Sequence, residues 1–302
     1  MGTDKRARQK AARQQRIEEE QHAEDKERRK STFIRLGILA VVVAAAIGLF
    51  VFITRDDGDD APEEAATDEG STAATDGSAE PTPAPDPIYT PYTDDQYGTG
   101  ECAPAQGVEE PVIEFEDAPQ KCIDDGVPHL ATFDTTAGEI VVQLDVTNTP
   151  GTANNFVNLS RFGYYDETLI FRSDPSIGIL QGGSPTTNNA SDPGPGYTIV
   201  DEGTGFTYRP GQLVMARTAG PDSSSAQYFF TVTDSASLLD SQGTYVVFGE
   251  VLEGLDVLEA ILASHAEESD NALGGSPDPE VTVRSVTITE DTGTATSEGS
   301  AP

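Results

Sequence analysis

Residues 129–144 read HLATFDTTAGEIVVQL. Apolar residues alternate on both sides of Ala137-Gly138, the pattern of two antiparallel strands joined by a tight turn. The next segment, TPGTANNFVNLSRFG (149–163), predicts a helix with Phe156, Val157 and Leu159 or Ser160 towards a core and Gly163 as its C-terminal stop. Strands are expected at 169–172, 177–181, 197–200, 212–217, 227–232, 245–251 and 281–289, with a second helix near 255–263. Many short strands and two helices predict a mainly β domain over 129–290, a closed antiparallel barrel with helical plugs. The tail 291–302 has a disordered composition.

Upstream of the hairpin the texture changes. Cys102 and Cys122 are the two cysteines of the chain; they are expected to pair as a disulfide that fastens an extension, 101–128, to the domain. A metal site there would need further ligands, and none of His22, His129 and His265 clusters with them. Residues 55–100, with EPTPAPDPIYTPYTDD at their end, are acidic and proline-rich and predict a disordered linker. Before it, LGILAVVVAAAIGLFVFI (36–53) carries no charge and reaches about 27 Å as a helix, enough to cross a bilayer. Residues 36–54 are therefore read as an uncleaved transmembrane helix. The basic segment 1–35 reads as a solvated charged helix. The positive-inside rule places it in the cytoplasm and the rest outside, as a single-pass cell-membrane protein.

Charge excludes one class of partner. Eleven of the 18 Lys and Arg lie in residues 1–35, leaving 7 for the other 267, which hold 45 of the 52 acids. That part carries a net charge of −38 and should repel nucleic acid and anionic lipid. Familiar catalytic sets are poorly served: a Ser-His-Asp site has only His129 and His265 to draw on. The many carboxylates have no specific pairing, and no phosphate-binding or dinucleotide fingerprint is present. No cofactor or metal is expected.

Against this acidic background one arginine stands out, Arg172 in TLIFRSDPSIGILQGG (168–183). On pattern alone it is a surface arginine paired with an acid, Gln181 and Gln227 are ordinary strand polar residues, and Phe229 and Met215 are core. Taken with TANNFVNLSRFGYYDETLIFR (152–172), QLVMARTAGPDSSSAQYFFTV (212–232) and SLLDSQGTYVVFGEVLEGLDVLEAI (237–261), in that order and spacing, the stretch resembles the cyclophilin family of peptidyl-prolyl cis-trans isomerases, over about 160 residues. The resemblance implies an eight-stranded barrel closed by two helices, with an outer groove for proline-containing peptide segments of client proteins. It implies that Arg172 and Gln181 are the catalytic pair. Ile179, Met215, Ala216, Gln227, Phe229, Leu238, Leu239 and Tyr245 are implied to bind substrate, in a monomeric enzyme that assists folding of exported or cell-surface proteins. A peptide-binding module with little isomerase activity is the alternative.

This chain departs from the family pattern in six respects. Phe171 replaces the usual histidine before the arginine. The span from Arg172 to Gln181 is one residue longer than the commonest spacing, so counting back from Gln181 would put Ser173 at the arginine position. Gly178-Ile179, or a neighbouring isoleucine, replaces a phenylalanine-methionine pair, and Met215-Ala216-Arg217 is followed by an additional Thr218. Leu238 stands where many members carry an aromatic, and a second insertion lies in LLDSQGTYVVFG.

Overall fold

The computed structural model of the chain describes residues 86–218, 220–267 and 273–290. The basic segment, the expected membrane span 36–54, most of the linker and the tail lie outside the described residues. Among the described residues no helix is long and apolar enough to cross a membrane.

In chain order the strands are β1 (Ile88–Tyr89), β2 (His129–Thr135), β3 (Glu139–Leu144), β4 (Thr168–Leu169), β5 (Arg172–Asp174), β6 (Ile179–Gly182), β7 (Gly203–Thr204), β8 (Gln212–Met215), β9 (Tyr228–Thr231), β10 (Val247–Glu253), β11 (His265–Glu267), β12 (Gly275–Pro277) and β13 (Thr282–Glu290). The helices are α1 (Pro150–Arg161) and α2 (Leu255–Ala263). The predicted hairpin forms as β2 and β3, and both helices appear where the apolar spacing put them. The 197–200 segment makes no strand; Ile199 forms only an isolated bridge to Ser224.

The main sheet is antiparallel, in the order β11-β12-β5-β6-β9-β8-β10-β3-β2-β13-β4 among the described residues. β4 is one edge, yet β5, near the other edge, begins three residues after Leu169. Such a short connection requires the sheet to curl back on itself. The expected strand 169–172 is thus split in two, with Ile170 and Phe171 crossing the seam. The expected closed eight-stranded barrel is corrected accordingly: the sheet is curled, but among the described residues its edge strands β4 and β11 share no ladder, so the curl stays open.

The concave face holds the core. Phe133 on β2 packs against Phe156 of α1 and against Tyr228 and Phe230 of β9, with ring centroids 5.2 to 5.9 Å apart, and all four are fully buried. Each such ring contributes about 1.5 to 3 kcal/mol by leaving water.

Helix α1 buries polar residues too, because its outer face is covered by the extension. Asn154 Oδ1 accepts the Cys122 and Ile123 N–H groups and its amide donates to Gln120 O. One turn on, Asn158 Oδ1 accepts the Ala103 N–H. Cys102 and Cys122 are joined, with Cα atoms 5.4 Å apart, so two asparagines at i and i+4 grip the two arms of one disulfide loop. At the other end of the helix, the buried Glu202 carboxylate accepts Gly151 N–H at 2.8 Å, Thr152 N–H at 2.6 Å and the Thr152 hydroxyl at 2.5 Å. It caps donors that a helix start leaves unpaired.

Residues 86–100 correct a second expectation. Read as the end of a disordered linker, they instead pair β1 with β7 and pack the Tyr92 ring against Tyr97, centroids 4.8 Å apart. Three tyrosines in twelve residues supply the apolar area that the acidic stretch upstream lacks.

Candidate active site

Three neighbouring strands align the predicted residues. In the β5–β6 ladder Arg172 faces Gln181, and in the β6–β9 ladder Gln181 faces Phe229. Directly opposed residues share a face of the sheet, so guanidinium, amide and phenyl ring stand in one row. They line a cavity of about 770 Å³ on the convex side of the sheet.

The register fixes which side chains of this stretch face the cavity. Asp174 and Ile179 form the last rung of the β5–β6 ladder, leaving 175–178 as the turn. Gly178 has φ +61°, and a Cβ there would run into Thr233 Oγ1. At position 178 of this turn only glycine fits. Ser173, the rival for the arginine position, points to the opposite face, is fully buried and bonds His265 Nδ1 at 2.7 Å.

The guanidinium is held on three sides. Nε donates to Leu273 O at 2.9 Å, Nη1 to Gln181 Oε1 at 3.1 Å and Nη2 to Asp174 Oδ2 at 2.9 Å. Gln181 Nε2 passes the chain on to Gln227 Oε1 at 2.9 Å. Burial pushes the Asp174 carboxyl up, but hydrogen bonds from Ser176 and Arg172, with the guanidinium charge, hold it below the usual carboxylate range. An arginine has five N–H donors, so two have no partner among the described residues and can serve a ligand.

The apolar wall is built from Ile179, Phe229, Leu239 and Tyr245, with Ala216 beside them. The Tyr245 ring meets Phe229 edge to face, centroids 5.5 Å apart. Two expected members do not join. Met215 faces Tyr228, the residue next to Phe229, so the two-residue period of the strand turns it inward to the core, where it is fully buried. Leu238, in the 3₁₀ segment Asp234–Leu239, is 64% exposed and does not line the cavity; the tight turn directs Leu239 inward instead.

Sequence reading missed other contributors. Asp174 sits in the quoted stretch, but its role needs the strand register. Tyr197 and Leu273 come from loops distant in the chain and carry no local signal. Arg217, noted as a departure, lines the cavity with its guanidinium tied to Asp201 at 2.9 Å and to the Thr244 carbonyl at 3.2 Å.

Residues 130–288 match the family model described as cyclophilin type peptidyl-prolyl cis-trans isomerase/CLD. The chain belongs to the cyclophilin-type peptidyl-prolyl cis-trans isomerases. It is 36% identical over 138 residues to the peptidyl-prolyl cis-trans isomerase cyp18 of Streptomyces antibioticus, covering 43% of this chain and 80% of that protein. To peptidyl-prolyl cis-trans isomerase B of Escherichia coli strain K12 it is 32% identical over 168 residues, 53% of this chain and all of that protein. The isomerase CYP18-2 of Arabidopsis thaliana is 30% identical over 151 residues, 49% of this chain and 90% of that protein. The cyclophilin domain therefore lies in the curled sheet and its two helices. The match begins after the disulfide loop, which is an addition at its N-terminal side.

Proposed function

We propose that this cyclophilin accelerates X-Pro rotation in exported or cell-surface proteins, with Arg172 as the group that stabilises the twisted amide. Uncatalysed exchange takes about 10 to 100 s because amide resonance sets a barrier near 20 kcal/mol. As the bond twists, conjugation is lost and the proline nitrogen becomes a better acceptor. A guanidinium that donates to it is bound more tightly by the twisted state than by the planar one, which is the condition for catalysis. The wall of Ile179, Phe229, Leu239 and Tyr245 would hold the proline ring. Gln181 and Gln227 would bind peptide backbone and keep the guanidinium in place.

The observation that carries this reading is the row Arg172, Gln181, Phe229 across three strands. It presents a donor with unused N–H groups beside an aromatic surface in one cavity. The test is cis-trans exchange on a proline peptide. Arg172→Ala should lower kcat/KM by about 100-fold, the size of losing one well-placed donor; unchanged activity rejects the assignment.

The setting is part of the same proposal. The uncharged run 36–53 after a basic segment supports a single membrane anchor with the N-terminus in the cytoplasm, and a disulfide suits an oxidising exterior. Added protease should remove the domain from intact cells, and full protection would place it inside.

A further inference from the structure

Asp174 has no part in the mechanism just described, yet its geometry is specific. It stands two residues after Arg172 on β5, so both side chains leave the same face of the strand. Its Oδ2 lies 2.9 Å from Arg172 Nη2, with the two side chains only 16% and 17% exposed. Such a shielded pair escapes most of the screening that weakens surface ion pairs. The carboxylate is itself anchored: Oδ1 accepts the Ser176 N–H at 3.1 Å and the Ser176 hydroxyl at 2.6 Å.

The turn that carries Ser176 has an independent tie, since Val232 N–H donates to Gly178 O at 2.7 Å. The ion pair is therefore not needed to close the β5–β6 hairpin. What it does constrain is the far end of a long, flexible side chain. With Leu273 O and Gln181 Oε1 on the other nitrogens, the guanidinium is fixed in its plane as well as in position.

We infer that Asp174 is a positioning residue: it locks the Arg172 guanidinium to the β5–β6 turn, so that the two uncommitted N–H groups meet the twisted amide without a search. The inference rests on Arg172 acting as the donor. A donor already oriented costs no reorganisation when the transition state forms. Because Asp174 does not line the cavity, its removal should act on kcat and leave substrate binding alone.

The test uses the full chain carrying Asp174→Asn, which preserves shape and can still accept from Ser176. kcat and KM are measured separately on a proline peptide, and the ¹⁵N signals of the arginine Nη atoms are recorded. kcat should fall about tenfold, the worth of one charge-assisted hydrogen bond, with KM changed by less than about twofold. The separate Arg172 Nη signals of the native chain should merge as rotation about the Cζ–Nη bonds becomes free. A folded variant with native kcat, or with its loss in KM, overturns the inference. If Asp174→Asn does not fold, Ser176→Ala replaces it. That change loosens the carboxylate without touching Arg172 and should lower kcat about threefold; a native value then counts equally against positioning. Arg172→Ala run alongside separates the two levels. An active Arg172→Ala sinks the donor assignment itself, whereas an inactive one beside a fully active Asp174→Asn removes only the role given to Asp174.

Discussion

Arg172 Nη1 donates to Gln181 Oε1 at 3.1 Å, and the two residues are direct partners across the β5–β6 ladder. The guanidinium therefore does not float over the groove; its height and tilt are set by the sheet. Gln181 is 7% exposed and also donates to Gln227 Oε1, so one buried amide connects both polar sides of the cavity.

Gln181→Ala should therefore cost more than one contact. It removes an acceptor from Arg172 and a donor from Gln227 in a site shielded from water. We expect kcat/KM to fall about tenfold, near 1.4 kcal/mol, with the fold intact by circular dichroism. Native kcat/KM would mean that the register alone orients the arginine.

Phe229 is the apolar counterpart. It is 3% exposed, it packs on Tyr245, and it forms part of the proline-facing wall. Phe229→Ala should destabilise the domain by about 3 kcal/mol through the void it leaves. It should also raise KM for a proline peptide, which a titration at a temperature where the variant stays folded would record. An unchanged KM would remove Phe229 from the wall.

Glu202 should make stability depend on pH. Burial pushes its carboxyl from 4.5 up to about 7, against the pull of hydrogen bonds from Thr152 and Gly151. A raised value in the folded state means that the folded chain keeps a proton which the unfolded chain releases between those pH values. Stability from this group is thus greatest at low pH and declines as pH rises through the window, by roughly 3 kcal/mol at most. Denaturant midpoints of the native chain and Glu202→Gln, compared from pH 4.5 to 8, should converge in slope only above the window. Parallel curves throughout would show that Glu202 titrates normally.

The disulfide loop should matter for stability and not for turnover. None of the cavity-lining residues comes from 101–128, and the bridge joins positions 20 apart. Replacing both Cys102 and Cys122 with serine should cost about 3 kcal/mol by the loop-closure relation. Isomerase activity at a temperature well below unfolding should stay native. A large loss of kcat there would tie the extension to catalysis.

Local chemistry in the sequence was enough for the hairpin, the two helices and the family, though not for every strand. Alternating apolar residues around Ala137-Gly138 marked the β2–β3 hairpin, and TANNFVNLSRFG marked α1. The blocks around Arg172, Gln181 and Phe229 carried the resemblance that the family match bears out. Each of these signals is contained in a short segment, because strand alternation, helix period and turn residues are properties of neighbours in the chain. The tertiary structure decided what neighbours cannot. It kept Arg172 on the cavity face and turned Ser173 to the other. It turned Met215 inward by strand parity and left Leu238 in solvent. It gave buried Asn154, Asn158 and Glu202 partners 31 to 57 positions away. Register, side-chain face and long-range pairing are fixed only when separate strands and loops meet, since the energy that selects them is the burial and hydrogen bonding of groups remote in sequence.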